Sequence, residues 1–272
     1  MTGEGEQRVM DVWKPSRIDA DQCLCSRIGP LSLWVKRLHD EVLVAVERLP
    51  EAEADDEVLA PAPITEPEPE TLSWGRWIVG SDTDVIQLVP VMPDRPVVVR
   101  PELPVKIPTD HEALFFVSIP IWVKVTAGES QSLVLCEEPT VVISGTWFGD
   151  PTSGELCYAV RTRARRVIQD PEARPHRAIC PVRIRNAAPS QLDVQRLCVH
   201  VEHLRTYETD TQLWTNEVDV TFQGEERPGQ VDYGKEPPTF REVGEMLSDA
   251  RRPLTNSLLK KSLVSFRSFT GM

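Results

Sequence analysis

The 272-residue sequence lacks the compact signatures by which a chain advertises catalysis. It has no glycine-rich phosphate loop, no Gly-x-Ser-x-Gly elbow and no His-Glu-x-x-His zinc helix. It has no Cys-x-x-Cys either: Cys23 and Cys25 are separated by one residue, and no second pair has zinc spacing. No run approaches the roughly 18 apolar residues of a membrane-spanning helix. The most apolar stretch, 113–123, is broken by Ser118 and Pro120. The opening residues, MTGEGEQRVMDVWKPSR, lack the charged-then-apolar order of a secretory signal. The expectation is a cytoplasmic protein that does not cross a membrane. Basic residues are also in deficit, 30 against 42 acidic, for a net charge of −12. That balance excludes nonspecific nucleic-acid binding, which rests on neutralising phosphates.

What is present is proline and β-branched sequence. Between Val85 and Val125 prolines recur at 90, 93, 96, 101, 104, 108 and 120, with short runs such as VVV and FFV between them. Proline lacks the N–H of a ladder, so it marks strand starts, edges and bulges. Glu112–Val125 reads as one long strand kinked at Pro120. PLSLWVKRLHDEVLVAVER (30–48) alternates apolar and polar on two arms around His39-Asp40 and predicts a hairpin. In ELCYAVRTRARRVI, Leu156, Tyr158 and Val160 are read as facing inward, with Arg161, Arg163 and Arg165 on the opposite, solvated face. Residues 192–206 are read as one long strand, or a strand with a bulge. Residues 176–224 have the rhythm of an immunoglobulin-like sandwich without its Cys…Trp…Cys signature.

The fold class is therefore all-β: antiparallel β-sandwich, divided into two packed subdomains, with a C-terminal α-helix. Residues 1–48 form an N-terminal segment and hairpin joining the first sandwich. Residues 49–73 carry eight acidic residues, five prolines and no basic residue, and read as a linker or loop. Residues 74–168 are the first sandwich core, 169–239 the second, and 240–272 an amphipathic helix or tail. In that tail Pro253 separates REVGEMLSDA from a segment with leucine and phenylalanine at helical spacing. From Arg251 onward there are five basic residues and no acidic ones, so the rest of the chain carries −17. This asymmetry nominates a partner-binding tail made of Arg251, Arg252, Leu254, Leu258, Leu259, Lys260, Lys261, Leu263, Phe266 and Phe269. Folding back on the body and lying on an anionic membrane surface are its alternatives.

Candidate chemistry is thin. The six cysteines sit in strand-like flanks and read as reduced, buried thiols. His200 and His203, three apart on the expected strand, fall on opposite faces and do not pair as ligands. Asp94 and Asp150 read as turn residues, and Arg161–Arg166 as a solvated strand face rather than an anion patch. No catalytic residue, metal ligand or cofactor is nominated, so the leading reading is a non-enzymatic interaction protein. A small-ligand or carbohydrate-binding sandwich is the second reading, with Trp147, Phe148 and Asp150 on an aromatic loop as its contacts. A hydrolase with a carboxylate site is the third.

Several blocks carry a family resemblance: Trp74 and Arg76, PVMPDRPVVVRPELP at 90–104, FFVSIPIWV at 115–123, TWFGD at 146–150 and GELCYA at 154–159. CPVRIRN at 180–186 and Leu213-Trp214-Thr215 fit as well. Together they resemble the prokaryotic domain-of-unknown-function family 432, over residues 10–240. The family has no established catalytic residues to carry over. The resemblance implies an accessory protein associated with a membrane channel of the small mechanosensitive type.

Overall fold

The computed structural model describes residues 9–50, 58–63, 71–80, 83–129, 133–168, 174–224 and 229–253. Over these the chain is nearly all β. A short 3-10 turn (Val9–Trp13) and β1 (Ser16–Arg17) lead into a meander of β2 (Cys23–Ile28), β3 (Leu31–Arg37) and β4 (Glu41–Arg48). The β3–β4 hairpin expected from alternation is present, in register from Leu31 opposite Arg48 to Arg37 opposite Val42. β5 (Val58–Pro63) adds to β2 and β6 (Trp74–Ile78) to β4, giving the order β5-β2-β3-β4-β6. The β2–β3 turn needs glycine. Gly29 has φ +55°, and a Cβ there would stand 2.4 Å from the His176 ring.

The proline-rich block supplies β7 (Val85–Val91), β8 (Val97–Pro101), β9 (Val105–Ile107), β10 (Glu112–Pro120) and β11 (Trp122–Ala127). Its alternate residues Phe115, Val117, Ile119, Ile121, Val123 and Val125 are all fully buried. The kink at Pro120 is a change of sheet. β10 pairs with β15 (Arg177–Asn186), whereas β11 pairs with β7 and with β12 (Leu133–Pro139). Proline cannot donate, and the corner closes around Thr140. Ile121 N donates to His176 O at 3.0 Å, and Thr140 N donates to Ile121 O at 3.0 Å. The buried Thr140 hydroxyl lies 2.7 Å from Ile121 O and 3.1 Å from His176 O. Buried backbone is thereby satisfied where one stretch serves two sheets.

β13 (Ser144–Phe148) and β14 (Glu155–Ala164) form a hairpin; the next strands are β16 (Leu192–Val194) and β17 (Leu197–Val199). β13, β14, β8 and β17 lie side by side in that order, with β14 parallel to β8 and β17 antiparallel to it. β16 pairs with β9. β15 is the spine of the largest sheet, which adds β18 (Thr206–Glu208), β19 (Leu213–Thr215), β20 (Val218–Phe222), β21 (Gln230–Tyr233) and β22 (Met246–Ser248). One contiguous apolar cluster runs from Val12 to Tyr233, with Leu247 packed against it.

Three expectations change. The long strand over 192–206 is divided into β16, β17, a 3-10 turn (Val201–His203) and β18, because each piece has a different pairing partner. In β14 the expected inward face holds for Tyr158 and Val160, which pack against the core, but not for Leu156, which is 48% exposed, while Cys157 on the other face is fully buried. The expected C-terminal helix is absent over 240–253. Met246–Ser248 instead extends the edge at β18, where Glu208 N donates to Glu245 O and Gly244 N to Glu208 O. Gly244 is a poor helix-interior residue, and an open edge offers ladder bonds to a strand. The remainder of the predicted helix lies outside the described residues.

Candidate functional site

Three places concentrate polar or aromatic chemistry. The first is the exit of the basic tail. Arg251 follows β22 and turns inward. It donates to Met92 O, pairs with Glu137 of β12, and its guanidinium stands 5.4 Å from the centre of the Trp122 ring on β11. Arg252 N donates to Glu202 O at 2.9 Å, and His203 Nδ1 meets Arg252 O at 2.7 Å. Asp249 pairs with Arg205 at 2.9 Å, and that hydrogen bond holds its carboxyl below the usual range. Arg251 is thus engaged through its side chain and Arg252 through its main chain, with the Arg252 side chain exposed. Leu254, Leu258, Leu259, Lys260, Lys261, Leu263, Phe266 and Phe269 lie outside the described residues.

The second place is the β13–β14 turn. Trp147 is half-exposed, and its Nε1 donates to Asp150 O at 3.0 Å. Asp150 Oδ1 accepts from Thr152 N and Thr152 Oγ1, at 3.0 and 2.8 Å. Gly149 has φ +100°, and a Cβ on Gly154 would meet Phe148 O at 2.4 Å, so the turn depends on both glycines. Phe148 points the other way and is buried against Cys157 and Cys198. Trp147 and Phe148 therefore occupy opposite faces of β13, and this Asp150 oxygen organises its own loop.

The third place was not found from the sequence. Glu155 and Cys157 alternate on β14, while Cys198 lies on β17 and His200 follows directly after it, at the start of the 3-10 turn. Each pair puts two ligand-type side chains on one side of the chain. The β14-β8-β17 order gathers them on the side of the sheet that turns away from Val97 and Val99, with Val98 and Phe148 over the sulfurs. A Glu155 carboxylate oxygen, Cys157 Sγ and Cys198 Sγ all lie within 4.8 Å of one another. The sulfurs are 3.8 Å apart, and Cys198 Sγ is 3.8 Å from Glu155 Oε1. His200 Nε2 stands 3.0 Å from Glu155 Oε1 and 3.1 Å from Oε2. Contact with Cys157, together with burial, pushes the Cys198 thiol well above its ordinary value. Burial pulls the His200 imidazole down, but the Glu155 hydrogen bond and charge, aided by Glu202, leave it above its ordinary value. Glu202 is buried, and its Oε2 has no hydrogen-bond partner.

The 3-10 turn also brings the His200 and His203 rings to 6.4 Å at an interplanar angle of 31°, closer than a continuous strand would allow. Their nitrogens are directed differently, His200 to Glu155 and His203 to Arg252 O. The signal for this cluster was the repeated alternation Glu155-x-Cys157 and Cys198-x-His200. It is invisible to a search for Cys-x-x-Cys spacing.

No helix among the described residues is long and apolar enough to cross a membrane. No curated protein and no solved structure matches the chain. A family model does match, over residues 12–267, and its description is "Protein of unknown function (DUF432)". The match spans nearly the whole sequence, including the sheet corner, the cysteine-bearing strands and the pinned segment at Arg251, and so the chain belongs to the DUF432 family.

Proposed function

We propose that this protein is a non-enzymatic, cytoplasmic accessory protein. Its body of antiparallel sandwiches presents the segment after Pro253 to a protein partner. The observation that carries this reading is the pinned exit. Arg251 and Arg252 tie the chain to β11, β12 and the Val201–His203 turn. The tail therefore leaves the body from a fixed position. Beyond Pro253 the sequence carries Lys260, Lys261 and Arg267 without an acidic residue, together with Leu254, Leu258, Leu259, Leu263, Phe266 and Phe269 at helical spacing. An apolar stripe flanked by cations suits an amphipathic helix seated in an apolar, acidic groove. The family resemblance points to a membrane channel complex, of the mechanosensitive type, as the partner. A contact between the tail and anionic lipid fits the same chemistry and is resolved by the test.

The test compares the full chain with a chain ending at Pro253, each immobilised and incubated with detergent-solubilised membranes from native cells. A membrane channel protein is expected to be retained by the full chain, lost on truncation, and lost with the double substitution Leu258→Asp and Phe266→Asp. Vesicles rich in anionic lipid form a second arm. Equal channel recovery by the full and truncated chains refutes docking through the tail, as does retention on lipid alone.

A further inference from the structure

We propose that Glu155, Cys157 and Cys198 form a binding site for a thiophilic divalent metal ion of the zinc class, with His200 holding the carboxylate ligand in place. This goes beyond the docking reading and does not depend on it.

The spacing is that of a ligand shell. In a tetrahedral zinc site, sulfur at ~2.3 Å and oxygen at ~2.0 Å from the ion stand roughly 3.5–3.8 Å from one another. Here the Sγ–Sγ separation and the Cys198 Sγ–Glu155 Oε1 separation are both 3.8 Å, and Cys157 Sγ lies within 4.8 Å of a carboxylate oxygen of Glu155. The sulfurs are much too far apart for a disulfide, whose bond is ~2.05 Å. Two thiolates and a carboxylate are a donor set that selects zinc-like ions over magnesium or calcium, which take oxygen shells.

The surroundings suit a metal. Cys157 is fully buried and Cys198 nearly so, under Phe148 and Val98, so the sulfur side is dry. The Glu155 side chain is 39% exposed, which leaves a route from solvent and room for a fourth, water ligand. His200, within hydrogen-bond distance of both Glu155 oxygens, fixes the carboxylate as the outer partners of metal ligands do. The buried Glu202 contributes negative potential at both Cys198 and His200. That potential favours a cation at the cluster and opposes an anionic ligand. Binding involves no redox change: two S–M bonds form as two S–H bonds break, one carboxylate oxygen–metal bond displaces water from the ion, and the two protons leave to solvent.

The test uses the full-length protein, stripped of metal and kept reduced, titrated with Co²⁺ and then with Zn²⁺. One Co²⁺ per chain is expected, with thiolate-to-cobalt charge-transfer absorption that Zn²⁺ abolishes. Cys157→Ser and Cys198→Ser should each remove that absorption, whereas Cys25→Ser should leave it intact. His200→Gln should weaken binding on the order of 10- to 100-fold while the absorption keeps its shape. Glu155→Gln, at a partly exposed position, should weaken binding even if the cysteine variants fail to fold. Absence of charge-transfer absorption overturns the proposal. So does unchanged binding in Glu155→Gln, loss of binding in Cys25→Ser, or recovery of a Cys157–Cys198 disulfide as the resident state in protein alkylated directly from native cells.

Discussion

Replacing Thr140 tests whether the sheet corner is held by its hydroxyl. Thr140 is fully buried, and its Oγ1 lies 2.7 Å from Ile121 O and 3.1 Å from His176 O. Each carbonyl keeps a second donor when the hydroxyl is removed: Thr140 N for Ile121 O, and Ile121 N for His176 O. Thr140→Val therefore leaves neither acceptor orphaned. Its cost is that of one buried hydrogen bond, about 1 kcal/mol and no more than ~2. For a chain of this size that is a drop in Tm of roughly 2–8 °C. Valine puts a methyl where threonine has the hydroxyl, and alanine puts nothing where serine has it. Urea unfolding of the four proteins thus measures the same hydroxyl twice. Both pairs should give a difference of about 1 kcal/mol in the same direction, at an unchanged m value. A valine variant as stable as the parent, with alanine matching serine, would show that the corner is held by packing alone.

The other expectations are narrower. Gly29→Ala adds a Cβ at φ +55° and within 2.4 Å of the His176 ring, and should cost more than ~1 kcal/mol by thermal or urea unfolding; a neutral result contradicts the turn geometry. Burial and the Glu138 charge push the Cys136 thiol up to about 12, so it is protonated at pH 8. Iodoacetamide at that pH should label it far more slowly than a free thiol, read by peptide mass, and prompt labelling would refute this. Asp249 is held below its ordinary value by Arg205, so the unfolded chain binds the proton more readily than the folded one. Its stabilisation is present above the unfolded value of ~3.9 and is lost as pH falls through the depressed folded value. Asp249→Asn should therefore flatten the acid limb of the stability–pH curve and lower stability slightly at neutral pH; an identical acid limb refutes the pairing.

How far the sequence could be read depended on how locally each feature is determined. The β3–β4 hairpin was legible because both arms alternate and the turn between them is short; nothing remote is needed to place Leu33 or Val35 in the core. The buried row from Phe115 to Val125 was legible for the same reason, and proline correctly marked its break. That the break moves the chain into another sheet was not legible. It depends on Thr140 and His176, distant in sequence: His176 O accepts from Ile121 N, and Thr140 N and its hydroxyl donate to Ile121 O, just past Pro120. The C-terminal helix failed on competition: helical spacing around Met246 lost to the ladder bonds available at the open β18 edge. The cysteine cluster failed on phase. Alternation divides β14 into two faces, Leu156-Tyr158-Val160 and Glu155-Cys157-Ala159, but does not say which face is covered. The larger side chains suggested the first. In the fold each is covered in part: Tyr158 and Val160 lie against the main core while Leu156 is exposed, and Cys157 packs with Phe148 and Cys198. Only β8, inserted between β14 and β17 and parallel to one of them, brings Cys157 and Cys198 to the same face from 41 residues apart. A non-local, partly parallel sheet order is not written into the alternation of either strand, which shows the ligand-type faces but not that they meet, so a site assembled by it has to be read from the fold.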